Sequence, residues 1–218
     1  MTVTVRGTEV LTRLWRAGGN RPNGGFLDYM MDGYVDLADP LMEMAQELGI
    51  EYYNLAGKTD AGVAGPLPPR DALQSNVINA VTKGDATTGL TMLSGSLQRQ
   101  VFSSARRTVE TSAENEPGAL WARRARPEAC GWCKMMATRE DVYSSASAAL
   151  KHSGAEGKRH NDDRYHDECH CLAVAVRPGR MYSPPSYARK WEDEYTEITR
   201  VVGTDPSAIA AAWDQLAS

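Results

Sequence analysis

The sequence predicts a mainly α protein: a helical N-terminal part, a short stretch of mixed α and β character, and C-terminal helices. Three observations lead there. Apolar residues recur at three- and four-residue steps over much of the chain, which is the spacing of one helix face. The 19 glycines and 11 prolines imply modest helices joined by long connections. All four cysteines fall within the 42 residues from Cys130 to Cys171, between two short alternating apolar segments that read as strands.

Taken in order, Val10, Leu11, Leu14 and Trp15 form a helical stripe over residues 8–16, ended by Gly18 and Gly19. Leu27, Met30, Met31, Tyr34, Leu37, Leu41, Met44 and Leu48 continue the pattern, with Pro40 predicting a kink or two shorter helices. Residues 54–69, rich in Gly and Pro, read as a linker. Asp71 is placed to cap a helix carrying Leu73, Val77, Ile78 and Val81, with Gly84 as its stop. A longer helix is expected from Thr87 or Thr88, carrying Leu90, Leu93, Leu97, Val101, Ala105 and Val109 and leaving Arg99, Arg106 and Arg107 on other faces.

Beyond Glu116-Pro117-Gly118 the character changes. Residues 119–126 and 172–176 read as strands whose pairing would bring Cys130 and Cys133 beside Cys169 and Cys171. Between them a short helix is expected over 140–150 and a polar loop over 151–164. Tyr187, Trp191, Tyr195 and Ile198 then step along an acidic helix, and Asp205-Pro206 opens a last one carrying Ile209, Ala212, Trp213 and Leu216. These aromatic stripes read as packing surface. The expected parts are thus 1–69, a helical segment with its linker; 70–118, a helical hairpin; 119–179, the cysteine module; and 180–218, the C-terminal helices.

At 23.8 kDa and 42% apolar residues the chain can bury a real core. No signal-peptide core and no run of about eighteen apolar residues occurs, so a soluble protein made in the cytoplasm, with no membrane partner, is expected. The net charge of −4 hides a pattern. Residues 1–120 carry 10 basic and 14 acidic side chains, residues 121–190 carry 13 and 8, and residues 191–218 carry 1 and 6. The cysteine region is a basic island between acidic ends, and Arg123, Arg124 and Arg126, with Lys134 and Arg139, are candidates for contact with nucleic acid or an acidic protein surface.

Cys130-x2-Cys133 has the usual bite of a zinc-chelating pair. Cys169-x-Cys171 is a less usual pair, feasible because alternate residues of an extended segment share a face. His166, three residues before Cys169, competes with it for a place, so the candidate ligands are Cys130, Cys133, His166, Cys169 and Cys171. A structural zinc ion held by four of them would make this a zinc-stapled α+β module. Three other readings stay open: a redox pair at Cys130-Gly131-Trp132-Cys133, disulfides, and free buried thiols.

Residues 121–179 resemble the MuF-like minor head proteins of actinobacterial tailed phages. The resemblance rests on Trp121-Ala122-Arg123, Arg126-Pro127-Glu128-Ala129-Cys130-Gly131-Trp132-Cys133-Lys134, Tyr165-His166-Asp167-Glu168-Cys169-His170-Cys171 and Val176-Arg177-Pro178-Gly179. It implies a minor capsid protein of head morphogenesis, acting near the portal in the prohead with portal and major capsid or scaffold proteins as partners. It would pass from the host cytoplasm into the virion. Genes of this kind often bear the label of capsid maturation protease. The residues give that activity no motif: Ser103, Ser104, Ser144 and Ser145 lack a nucleophile elbow, and no HExxH is present.

Overall fold

The apolar stripes fold as helices. In the computed structural model, which describes residues 2–19, 25–138 and 169–216, they are α1 (Thr2–Gly18), α2 (Gly25–Gly57), α3 (Arg70–Lys83), α4 (Ala86–Asn115), α5 (Gly131–Ala137), α6 (Arg189–Val202) and α7 (Pro206–Leu216). Two strands, β1 (Leu120–Arg124) and β2 (Leu172–Val176), complete a mainly α fold. The helix expected over 140–150 and the loop over 151–164 lie outside the described residues.

The described residues divide into two compact units, the first built from residues 2–19, 25–50 and 64–108 and the second from 51–63, 109–138 and 169–216. In the first unit, Leu11 of α1, Met30, Tyr34, Val35, Ala38 and Met42 of α2, Leu73 and Val77 of α3, and Leu93, Leu97 and Val101 of α4 share one core. Close approach needs a small residue at Gly7, where a Cβ would meet Leu41 Cδ1 at 2.9 Å. Trp15 meets Phe26 edge to face, centroids 5.0 Å apart.

Several boundaries differ from the sequence expectation for local reasons. Helix α1 starts at Thr2 rather than near Thr8, and the hydroxyls of Thr8 and Thr12 donate to the carbonyls of Thr4 and Thr8 inside it. Pro40 does not divide α2 in two. Buried Tyr34, Val35 and Ala38 before it and Met42 and Ala45 after it outweigh the roughly 3 kcal/mol that an interior proline costs. Asp71 is not the cap of α3: Pro69 holds that position, and the Asp71 carboxylate accepts from the Ala72 N–H in the first turn.

Gly84 ends α3 as expected, its N–H donating to the Ala80 carbonyl. The cap of α4 is Asp85, which accepts from the N–H groups of Thr87 at 3.0 Å and Thr88 at 2.7 Å. Those bonds, Thr88 first, hold its carboxyl below the usual carboxylate range. Arg106, expected on a face of α4 other than the apolar stripe, is buried, with its guanidinium over the Phe102 ring.

In the second unit the strands pair antiparallel, with Leu120 opposite Val176 and Arg124 opposite Leu172. Trp121, Trp191, Ile198, Ile209 and Trp213 share a core with Cys133, Cys169 and Cys171, so the C-terminal aromatic stripes are packing surface. Asp205 caps α7 through the Ala208 N–H, with Pro206 at the first helical position. The end of α2 belongs to this unit, which is why the linker begins after Gly57 rather than at residue 54. Tyr53 is fully buried there; its hydroxyl donates to Glu116 Oε2, and its ring lies under the guanidinium of Arg177. Arg177 Nη2 pairs with the Glu116 carboxylate at 2.7 Å and donates to Thr59 Oγ1.

Candidate metal centre

The cysteines reach one another because three local structures deliver them. Cys130 is the N-cap residue of α5 and Cys133 lies in its first turn, so a single helical turn sets their spacing. Cys169 and Cys171 precede β2, and the β1–β2 pairing fixes where that segment runs. Gly131 seats α5: its N–H donates to Asp214 Oδ1 at 2.7 Å, and a Cβ there would lie 2.1 Å from the Ala210 carbonyl oxygen of α7. The glycine between the first two cysteines thus serves close helix packing.

The sulfur atoms of Cys133, Cys169 and Cys171 all lie within 4.8 Å of one another, and all three residues are buried. Cys133 Sγ is 3.6 Å from Cys169 Sγ. Four sulfurs around zinc at about 2.3 Å stand about 3.8 Å apart along each tetrahedral edge, so this separation fits a shared metal ion. Cys130, half-buried, has a thiol hydrogen bond with Cys133 but is not among the three sulfurs that lie within 4.8 Å of one another. His166 lies outside the described residues. His170 is half-buried and does not share that cluster of sulfur atoms.

Contact with Cys130 first, then with Cys169 and Cys171, together with burial, holds the Cys133 thiol far above its ordinary range. At Cys171 the bond with Cys133 acts downward, the bond with Cys169 and burial act upward, and the positive charge of Arg123 acts downward; the balance pushes it up to about 11. Among the described residues the sheet has two antiparallel strands, which is not the βαβ frame of a thioredoxin-type redox pair. None of the four is disulfide-bonded. A soft divalent metal that displaces protons from clustered thiols suits this donor set.

Of the basic residues expected to face a nucleic acid or an acidic protein surface, Arg124 and Arg126 are exposed, Lys134 is half-buried and Arg123 is buried, while Arg139 lies outside the described residues. Trp121, Arg123 and Ala125 fall at alternate positions along β1 and just beyond it, and the two flanking residues are core. The candidate nucleophiles Ser103 and Ser104 are buried within α4, and the Ser104 hydroxyl donates to the Gln100 carbonyl.

The model of the VG15 protein family matches residues 2–198. The chain belongs to the VG15 protein family, a viral protein family. The match reaches from α1 through most of α6 and takes in all four cysteines, well beyond the stretch 121–179 on which the resemblance to MuF-like proteins rests. Comparison with curated proteins and with solved structures gave no match. Among the described residues of this family member, no helix is long and apolar enough to cross a membrane.

Proposed function

We propose that this viral protein is a minor structural component of a tailed-phage head, MuF-like in its C-terminal module, acting in head morphogenesis near the portal as the prohead assembles. Its partners are the portal and the major capsid or scaffold proteins. It moves from the host cytoplasm into the virion. The observation that supports this reading is the convergence of Cys133, Cys169 and Cys171, three of the four cysteines of the MuF-like order Cys-x2-Cys then Cys-x-Cys, in the core of one unit, with Cys130 packed beside it.

In this reading the metal is zinc, held by Cys130, Cys133, Cys169 and Cys171, and its role is structural. A core shared among two short strands and short helices gains much from a metal staple, because binding free energy then becomes folding free energy. His166 replaces Cys169 in the alternative ligand set. The buried, helix-bonded setting of Ser104 favours a structural role over a serine protease.

The test is the composition of purified particles. Mass spectrometry of virions from the parent phage should find the chain at few copies per particle, and a phage carrying Cys133→Ser should lack it or assemble aberrant heads. Particles that never contain the chain would contradict the structural assignment. Cleavage of scaffold or capsid protein by the purified chain would favour the protease instead.

A further inference from the structure

The buried arginine on β1 carries an inference that builds on the zinc reading. Arg123 pairs with Ala173 across the sheet, and residues directly opposite in an antiparallel pair project to the same face. Its neighbours on that face, Trp121 and Ala125, and its partner Ala173 all belong to the core that holds Cys133, Cys169 and Cys171. Cys171 stands two residues before Ala173, just ahead of β2, and diagonal neighbours in an antiparallel pair are about 7–8 Å apart between Cα atoms, a span that an arginine side chain can cross. Arg123 is 1% exposed. Its guanidinium stays charged at any ordinary pH, and a buried charge is costly unless opposite charge lies near it.

Four thiolates around a divalent metal carry a net charge of −2. We propose that Arg123 is a positioning residue of the metal centre: its buried guanidinium offsets the negative charge of the metal–tetrathiolate unit and strengthens metal binding. The downward pull that Arg123 exerts at Cys171 agrees in sign. The positive charge at position 123 is therefore part of the staple rather than of the exposed basic surface, which begins at Arg124.

The decisive comparison sets Arg123→Gln, which removes the charge but keeps a polar amide, against Arg123→Lys, which keeps the charge. Zinc affinity of the full chain is measured by competition with a chromophoric chelator. Partners outside the ligand shell are worth roughly 10- to 100-fold in metal affinity, so R123Q should lose about that much and R123K should stay within several-fold of the parent. The cobalt-substituted spectrum should keep its thiolate charge-transfer bands in both, because the four ligands are unchanged. If R123Q folds only with metal, the zinc concentration at the midpoint of metal-induced folding supplies the same comparison. Equal affinity in R123Q and the parent, or equal losses in R123Q and R123K, would overturn the role of the charge. A parent chain that binds no zinc would remove the metal reading itself, a result distinct from either.

Discussion

Cys133 Sγ lies 3.6 Å from Cys169 Sγ, although 36 residues separate them in the chain. That closeness ties the first turn of α5 to the segment entering β2, and a metal bridging them would hold the second unit together. Replacing Cys133 with Ala should therefore abolish stoichiometric zinc binding and unfold this unit, while the helical core around Leu11, Tyr34, Leu73 and Leu97 persists. Near-ultraviolet circular dichroism, weighted toward Trp121, Trp191 and Trp213, should collapse while much of the far-ultraviolet helical signal remains. Parallel loss of both signals would show that the first core depends on the staple too.

Gly131→Ala is expected to destabilise the second unit by about 1–3 kcal/mol, the usual cost of forcing extra volume into a packed site. Its methyl would sit 2.1 Å from the Ala210 carbonyl oxygen, a backbone atom that cannot swing aside. Urea unfolding followed by tryptophan fluorescence should show the shift. No change in midpoint would mean that α5 and α7 can separate freely.

Arg177 and Glu116 form an ion pair at 2.7 Å whose side chains are 10% and 18% exposed. Glu116→Gln leaves the guanidinium without its counter-charge and weakens the acceptor of the Tyr53 hydroxyl. After allowance for the residual exposure, a loss of about 2–4 kcal/mol is expected, compared with near zero for exposed pairs. Thermal unfolding of the variant beside Arg70→Gln, which breaks the exposed pair with Asp32, gives the contrast directly.

Burial first, then its bond to Glu116, pushes the Tyr53 hydroxyl up to about 12 from an ordinary 10. A pKa raised on folding means that the protonated phenol is favoured in the folded state. The contribution is complete below pH 10 and disappears as pH rises toward 12. Stability of the parent should fall across that alkaline window, and Tyr53→Phe should flatten that part of the profile. An identical slope in both would assign the alkaline loss to other groups.

How much of this was legible in the sequence depends on whether the deciding contact is local. The two strand segments, the Asp205-Pro206 start of α7 and the Gly84 stop of α3 were readable because each is set by residues within a turn or a strand of one another. The meeting of Cys133, Cys169 and Cys171 followed from the flanking strands. Other features depend on distant partners. Helix α2 runs through Pro40 because packing on both sides holds it, and it continues to Gly57 because Tyr53 is bound by Glu116 and Arg177 from much later in the chain. The basic island concealed that Arg123 points inward, since charge counting ignores strand alternation. The short α5 was too brief to show a period, and the reason for Gly131 lies in α7, some eighty residues on.

The zinc staple is tested most directly by native mass spectrometry of the full chain, purified under reducing conditions without added chelator, before and after mild acidification. One zinc per chain is expected near neutral pH. It should be lost on acidification as protons return to the thiols, and restored when zinc is added at neutral pH. A reduced, folded chain that carries no zinc and gains no mass when zinc is supplied would contradict it.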